Sequence, residues 1–170
     1  MIDVNLFGVI HGVLAAYPIM LQQGFGHIVN TASVGGFIPM CLVISYSTTK
    51  HAVLGLSKSL RAAAACEGIR VSVLCPGPIR TPILTGGKFG KDLLGLSDQQ
   101  KLDYWEKSKP MDVNDFAREA LQAISRNEAI IIIPTRWKRY MWLTGRIPSR
   151  VIKFAQEDYE GELRRAGRKS

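Results

Sequence analysis

The chain has few of the residues that build disulfide frameworks or metal centres. It contains three cysteines in 170 residues, and none has a second cysteine or histidine at the spacing of metal ligands. An odd number of unpaired cysteines is typical of thiols in a reducing compartment. The first residues lack a basic segment followed by an apolar run and a cleavage site, so no export signal is predicted. We therefore expect a cytoplasmic protein without disulfides or a metal ion.

No apolar run predicts a transmembrane helix. The longest, residues 6–21, is interrupted by His11 and Pro18 and is shorter than the roughly 20 residues that a bilayer requires. We interpret it as a helix of the core. Internal repeats and low-complexity segments are also absent. A hydrophobic content of 46% with 21% charged residues is ordinary for one globular domain, which excludes general disorder.

Segments of helix and strand character alternate along residues 2–133. Helical spacing predicts helices over 2–22, 45–67 and 112–126, and short β-branched runs predict buried strands over 27–31, 69–75 and 129–133. This alternation implies right-handed crossovers and a parallel sheet covered on both sides. The predicted class is α/β with a Rossmann-like sheet. Residues 82–110 are expected to form a loop with one or two short helices.

Tyr46 and Lys50 stand four residues apart at the start of the second predicted helix, so they share one of its faces. With an ordinary pKa of about 10, tyrosine is a weak base at neutral pH. A cation about 4 Å away is worth up to about 4 kcal/mol at an effective dielectric constant of 20. A tyrosine tuned in this way can exchange a proton with an alcohol/carbonyl pair. The alternative is an ordinary pair on a helix surface.

Ser33 favours the catalytic interpretation of this pair. It lies thirteen residues before Tyr46, where the predicted strand 27–31 ends. Open α/β sheets bind ligands at the carboxyl ends of their strands. Serine, tyrosine and lysine are therefore expected to meet at one edge of the sheet.

Four segments in this order resemble the short-chain dehydrogenase/reductase family, over most of residues 3–134. Each segment alone has an ordinary structural explanation, such as a polar residue near a helix start, a strand end or a proline turn. Because all four segments match in the family's order, the family is favoured. The segments are Asp-Val-Asn-Leu-Phe-Gly at 3–8, Gly-His-Ile-Val-Asn-Thr-Ala-Ser at 26–33, Ser-Tyr-Ser-Thr-Thr-Lys-His-Ala-Val at 45–53, and Ile-Arg-Val-Ser-Val-Leu-Cys-Pro-Gly-Pro-Ile-Arg-Thr-Pro at 69–82.

The resemblance implies a role for each matching residue. Tyr46 would be the general acid/base, and Lys50 would lower its pKa and hydrogen-bond the nicotinamide ribose. Ser33 would hold the substrate oxygen and stabilise charge on it, while Asn5 would support a water chain to Lys50. The cofactor, NAD or NADP, would also meet the Pro-Gly turn, with a backbone amide and a hydroxyl facing the carboxamide; the turn residues are Pro76, Gly77, Ile79 and Thr81.

The family's glycine-rich turn, which binds the cofactor pyrophosphate at a helix N-terminus, has no counterpart in these residues. Gly35-Gly36 and Gly86-Gly87 lie in loops that follow the site residues, so they are rejected as substitutes. We expect Met1 to fall where relatives enter their fourth helix, leaving three strands and a free edge near Val29. A fragment, a mispredicted start and a split gene are the alternatives. We expect such a chain to fold poorly alone or to associate.

The net charge of +8 is concentrated in an extension, residues 135–170, that follows the Rossmann portion at 1–134. Six Lys or Arg and no acidic residue lie in 136–153, interleaved with Trp137, Tyr140 and Trp142. Aromatic rings beside cations are typical of a membrane interface. The favoured alternative is a helix that packs its aromatics on the domain or forms the substrate lid. Nucleic acid is not expected, because no recognition motif accompanies the short stripe.

Two functions of different classes follow. The first is an NAD(P)-dependent oxidoreductase for an alcohol and a ketone or aldehyde, inactive as this chain alone. The second is a non-catalytic interaction module that dimerises through helices 2–22 and 45–67. Residues 82–110 would form the substrate lid, and their apolar side chains suggest an apolar substrate such as a lipid, sterol or retinoid; these are Leu93, Leu94, Leu96, Tyr104 and Trp105.

Overall fold

The computed structural model describes residues 1–86 and 96–166. Its sheet has three parallel strands, β1 (Gly26–Thr31), β2 (Ile69–Pro76) and β3 (Ile130–Ile133), in the order β1-β2-β3. The predicted α/β class with a Rossmann-like parallel sheet is confirmed. The α-helices of the described residues are α1 (Gly8–Gln23), α2 (Ile44–Ala64), α3 (Asp98–Glu106), α4 (Val113–Ser125), α5 (Lys138–Arg146) and α6 (Pro148–Arg165).

Local signals in the sequence fix where several elements end. Gly24 follows α1 in the left-handed conformation at φ 74°, and Gly68 precedes β2 at φ 73°. Glycine takes such angles without the steric cost that other residues incur. Asp112 caps the start of α4 by accepting hydrogen bonds from the amides of Asn114 and Asp115. Because these signals are local, the predicted boundaries agree with the structure to within a few residues.

Two helices pack on one face of the sheet and one helix packs on the other. On one face, α1 and α2 pack against alternate residues of the strands, including Ile28, Val71 and Val73. On the other face, α4 packs on Ile131 and Ile133 through Ala120 and Ala123. The centre of the core therefore lies around β2, which pairs with a strand on each side.

The interpretation of residues 6–21 as a buried core helix is wrong. Val13 is the one residue of α1 that is buried, while Leu14 and Ile19 are 66% and 58% exposed. The reason is geometric, since α1 touches β1 along one side and no described residue covers its outer side. By length and composition, the span Asp3–Gln23 would also suffice to cross a membrane.

The prediction that the first strand is buried on both faces is wrong as well. Ile28 and Asn30 are buried, but His27 and Val29 are half-buried and Thr31 is exposed. β1 pairs with β2 alone among the described strands, so its other edge is open, as expected around Val29. Edge strands with unpaired backbone groups are templates for association.

The extension packs back on the domain through part of its surface. Trp137 and Met141 contact the core cluster that contains Val73 and Ile132. Helix α6 is tied to α3 by a 3.1 Å hydrogen bond from the Tyr104 hydroxyl to Asp158 and by further contacts around the buried Glu162. α6 therefore lies beside α3, which is part of the segment expected to select the substrate.

Candidate active site

Ser33 lies where β1 ends and caps a short 3₁₀ turn over Val34–Gly36. Its hydroxyl oxygen accepts a 3.1 Å hydrogen bond from the Gly35 amide and donates to the carbonyl oxygen of Pro76 at 3.4 Å. Pro76 is the last residue of β2, which runs parallel to β1. The predicted serine and the predicted Pro-Gly turn therefore meet at the carboxyl ends of neighbouring strands, where α/β sheets bind ligands.

The loop after Ser33 lies against the start of α2. The Ser47 hydroxyl donates to the carbonyl oxygen of Gly35 at 2.8 Å. A Cβ atom on Gly36 would lie 2.8 Å from the carbonyl oxygen of Lys50, so only glycine allows this approach. The role of Ser47 was not predicted from the sequence, and the two glycines were interpreted only as loop residues. A Gly-Gly pair between strand and helix was the available signal, because close backbone approach is a common reason for glycine.

Tyr46 projects from the first turn of α2 and is half-buried. Burial is the main influence on its phenol and raises the pKa above the usual value of 10, while hydrogen bonding with the Ser33 side chain acts in the opposite direction. The lowering of this pKa that we expected from Lys50 is not what the structure shows. At neutral pH the phenol is therefore protonated and able to donate.

Lys50 lies one helical turn after Tyr46, with its ammonium nitrogen 5.6 Å from the centre of the Tyr46 ring. The same nitrogen donates a 2.9 Å hydrogen bond to the carbonyl oxygen of Thr31. Burial lowers the pKa of Lys50, and the nearby Cys75 acts in the opposite direction. The thiol of Cys75 is itself fully buried, and this raises its pKa to about 12. Cys75 is therefore a neutral packing residue beneath the site.

Asn5 lies in a π-helical turn, Asp3–Phe7, that leads directly into α1. Such turns are rare and often occur at functional sites, and no sequence signal predicted this one. The Asn5 side chain donates a 3.5 Å hydrogen bond to the hydroxyl of Thr49, which in turn donates to the carbonyl oxygen of Tyr46 at 2.7 Å. Asn5 is thereby connected to the segment that contains Tyr46 and Lys50 through a fully buried threonine.

A cavity of about 350 Å³ lies between α1 and the open edge of β1. Polar groups and apolar side chains both contribute to its walls, and it is large enough for several water molecules. Asn5 and Lys50 therefore face one shared space. Its lining residues are Val4, Asn5, Val9, Gly12, Val13, Ile28, Val29, Asn30, Thr31 and Lys50.

The turn after β2 is held by backbone hydrogen bonds. The Gly77 amide donates to the carbonyl oxygen of Ile133 at 2.8 Å, and Ile79 pairs with Met111 in a parallel bridge. In this bridge the Arg80 amide donates to the carbonyl oxygen of Met111 and the Met111 amide donates to that of Pro78, whereas no hydrogen bond from the Ile79 amide to a described residue is found. The free amide and the Thr81 hydroxyl two residues later fit the carboxamide of a nicotinamide, which offers both an acceptor and a donor.

The indole nitrogen of Trp137 is buried without a hydrogen-bond partner among the described residues. It lies beside Gly77, where an added Cβ atom would come within 2.7 Å of it. Trp137 thus packs directly against the turn, which agrees with the favoured expectation that the extension packs its aromatics on the domain. Leu93 and Leu94 of the expected lid lie outside the described residues; Leu96, Tyr104 and Trp105 are half-buried.

A parallel sheet with polar residues gathered at the ends of its strands defines a Rossmann-like α/β protein with a site at the usual ligand-binding edge. The model of the short chain dehydrogenase family matches residues 1–88. The chain therefore belongs to the short-chain dehydrogenase/reductase family of oxidoreductases, as the four sequence segments predicted.

Relatives of this chain include enzymes of known and unknown substrate. An uncharacterized oxidoreductase of Staphylococcus epidermidis is 41% identical over 91 residues, which are 54% of this chain and 40% of that protein. The cyclohexanol dehydrogenase of an Acinetobacter strain is 41% identical over 83 residues, 49% of this chain and 33% of the enzyme. The chain thus spans less than half the length of these two relatives.

A solved structure shares the fold. The short-chain dehydrogenase of Sphingobium yanoikuyae, in complex with NADPH, superimposes with a TM-score of 0.66 at 28% identity. The match covers 88% of this chain and 55% of that protein. The similarity therefore includes most of this chain, beyond the residues that the family model matches.

Proposed function

We propose that this chain carries the proton-transfer site of an NAD(P)-dependent oxidoreductase that interconverts an alcohol and a ketone or aldehyde. The observation that supports this most is the cluster of Ser33, Tyr46 and Lys50 at the carboxyl end of β1. A Cβ atom on Gly35 would lie 3.4 Å from the Tyr46 ring and 3.5 Å from the Ser33 hydroxyl oxygen, and the Lys50 nitrogen lies 5.6 Å from the centre of that ring. A relative that is a cyclohexanol dehydrogenase and a structural neighbour that binds NADPH support the same chemistry.

In this proposal Tyr46 transfers the proton and Ser33 positions the oxygen that receives it. The Ser33 hydroxyl and the Tyr46 ring both border the Cβ position of Gly35, so in this proposal one substrate oxygen contacts both groups. Because burial raises the pKa of Tyr46, the free site holds a proton donor at neutral pH. Such a donor suits reduction of a carbonyl group, in which the developing alkoxide takes up a proton.

Lys50 would replenish that proton and hold the nicotinamide ribose. Its ammonium group is fixed by Thr31 and faces the same cavity as Asn5. Water in that cavity would link Lys50 to solvent along Asn5, which is the role that the family resemblance implies for the asparagine. The proton path would then run from solvent through Lys50 to the Tyr46 phenol.

A nicotinamide ring would be held by the Ile79 amide and the Thr81 hydroxyl, next to the Pro76-Gly77 turn. When bound, this group supplies or accepts the hydride. NAD and NADP are equally compatible with these contacts, because the contacts do not involve the adenosine end of the cofactor that distinguishes the two.

The substrate is proposed to be an apolar secondary alcohol or its ketone. Half-buried Leu96, Tyr104 and Trp105 lie on or beside α3 in the lid region. The relative that acts on cyclohexanol supports an alicyclic compound as the first probe. Cyclohexanol and cyclohexanone are therefore the test pair.

Cofactor titration tests the proposal on the 170-residue chain. We expect NADH or NADPH to quench tryptophan fluorescence saturably and to raise the unfolding temperature. Thr81→Val should weaken this binding, whereas Tyr46→Phe should leave it within a few-fold. Thr85→Val, a threonine whose hydroxyl bonds to its own turn, is the matched control. The absence of binding by both cofactors would contradict the proposal for this chain.

A second candidate function is that of a non-catalytic interaction module. The observation that favours it is the exposed apolar side of α1 and of the turn before it, where Leu14 of α1 is 66% exposed and Val4 of the turn Asp3–Phe7 is 76% exposed. We propose that two copies associate through α1 and α2. Light scattering should then show a dimer that Leu14→Glu dissociates and that Glu67→Gln does not. Association without cofactor binding would assign the chain to this second function.

A further inference from the structure

The segment from Lys138 to Phe154 presents two groups of exposed side chains, each with two cations and one aromatic ring. On α5, Arg139, Trp142 and Arg146 follow the spacing i, i+3, i+7, which places them on one helix face. On α6, Arg150, Lys153 and Phe154 follow the spacing i, i+3, i+4. Together these six residues are named the basic aromatic surface.

The cations of this surface are not paired with acidic side chains of the described residues, although Glu157 lies one helical turn after Lys153 on α6. Residues 136–153 contain no acidic side chain, and none of the four cations forms an ion pair within the part of the chain that the structure describes. Arg146 lies over the Trp142 ring, with its guanidinium carbon 4.6 Å from the ring centre. By contrast, Arg136 donates to the carbonyl oxygens of Ser108 and Lys109 and is not part of the surface.

The two aromatic residues of this surface, Trp142 and Phe154, are not buried against the domain. Trp137 and Met141 occupy the inner side of the extension and contact the core, and α6 is anchored to α3 through Tyr104 and Asp158. Trp142 and Phe154 remain 54% and 64% exposed. The helices are therefore held by their inner sides, while the outer rings and cations are free to meet a partner.

A partner for this surface must be anionic and must also offer an apolar environment directly beside its negative charges. Phosphate or carboxylate headgroups would meet the cations, and the rings would enter the boundary between headgroups and acyl chains. Nucleic acid would satisfy the charge but would leave the neighbouring exposed Ile152 without an apolar environment. The combination of charge and apolar exposure favours lipid.

We propose that the basic aromatic surface binds anionic lipid headgroups, with α5 and α6 lying on a membrane surface. The contact is peripheral and reversible, since only two rings enter the interface. This inference is independent of the proposed oxidoreductase chemistry, because binding requires neither cofactor nor substrate.

Co-sedimentation of the full chain with vesicles tests the proposal. We expect binding to phosphatidylcholine vesicles that contain roughly 30% phosphatidylserine and little binding to pure phosphatidylcholine. Salt at about 0.5 M should release the protein because it screens exposed charges. Neutralising one cation should weaken binding about fivefold, so Arg139→Gln combined with Arg146→Gln should weaken it about 30-fold. Trp142→Ser should weaken binding without removing its salt dependence.

The matched control is Lys58→Gln combined with Arg118→Gln, which changes the net charge equally on exposed sites of α2 and α4. It should bind within about twofold of the wild type, and thermal unfolding should show that both double variants are folded. An equal loss of vesicle binding in the control would show that the effect comes from net charge alone and would overturn the proposal. Vesicle binding that persists in about 0.5 M salt, in Arg139→Gln with Arg146→Gln and in Trp142→Ser would overturn the proposal and assign the membrane contact to α1. Binding to duplex DNA without binding to vesicles would identify nucleic acid as the partner instead.

Discussion

The ammonium group of Lys50 is bonded to the carbonyl oxygen of Thr31, 2.9 Å away, at the end of the edge strand β1. The cation of the candidate site is therefore positioned by the strand that has an open edge. A shift of β1 would be transmitted to Lys50 through this one hydrogen bond. Tyr46 and Lys50 share a helix, but the strand decides where the lysine charge lies.

Tyr46→Phe should reduce turnover by at least about 100-fold in any preparation of the chain that reduces cyclohexanone, because it removes only the hydroxyl that is proposed to transfer the proton. Cofactor affinity should stay within a few-fold. Steady-state kinetics and fluorescence titration measure the two effects separately. Tyr17→Phe, a change in α1 away from the site, is the control. Full activity in Tyr46→Phe would refute the role of this tyrosine.

Gly36→Ala should destabilise the fold by about 1–3 kcal/mol, the usual range for overpacking. The reason is that the new Cβ atom would meet the Lys50 carbonyl oxygen at 2.8 Å, and backbone on both sides leaves no flexible group to move. Denaturant unfolding measures the change. Gly55→Ala is the matched control, since no atom lies within 4 Å of its Cβ position; it should stabilise α2 by up to about 1 kcal/mol. Equal stability of both variants would contradict the close approach of loop and helix.

Ser57→Ala should destabilise the fold by about 1–3 kcal/mol, the cost of an unsatisfied buried polar group. The Asn30 amide donates to the Ser57 hydroxyl at 3.0 Å, and both residues are buried between β1 and α2. The substitution removes that acceptor. Ser59→Ala on the exposed side of α2 should change stability little. Chemical denaturation of both variants checks the prediction, and a neutral Ser57→Ala would show that Asn30 finds another partner.

Stability should fall as the pH is lowered from about 7.5 to about 5.5, through the ordinary pKa of histidine near 6.5. Burial and then the charges of Arg70 and Arg61 lower the pKa of His27. The unfolded chain therefore binds a proton that the folded chain resists, so acidification favours unfolding. The Ser72 hydroxyl donates to the Glu128 carbonyl oxygen and accepts from His27 Nε2, a bond that the neutral and the protonated ring can both make, so it is burial and the arginine charges that lower this pKa.

The matched pair for this measurement is His27→Gln and His11→Gln. The first should flatten the decline of unfolding temperature over that pH range, and the second, on the exposed side of α1, should not. Lowered pKa values at Glu106 and Asp112 act at more acidic pH, since the stability linked to a carboxylate is lost only as pH falls toward and below about 4. An unchanged decline in His27→Gln would show that His27 is not responsible.

Features of the fold that depend on local chemistry could be predicted from the sequence. Gly24, Gly68 and Asp112 mark helix boundaries by backbone conformation or capping, and the four family segments identified Ser33, Tyr46 and Lys50 before any geometry was available. Burial could not be predicted in the same way. The apolar pattern of α1 is that of a core helix, but its exposure depends on which elements lie beside it.

The electrostatic balance of the site was also beyond sequence analysis. The spacing of Tyr46 and Lys50 indicated proximity of a cation to a phenol. Whether burial or charge dominates the phenol pKa depends on the depth of the pocket and on the direction of the lysine side chain. In the structure the lysine turns to Thr31, and burial prevails.

The open edge of β1 also bears on how the protein can be handled. Its sequence, His-Ile-Val-Asn-Thr, has no proline and no permanently charged residue, the two devices that most often keep strand edges apart. Two copies in a concentrated solution can therefore join edge to edge into an extended sheet. Purification at low concentration, or a lysine in place of the half-buried Val29, would favour a sample that remains clear long enough to crystallise.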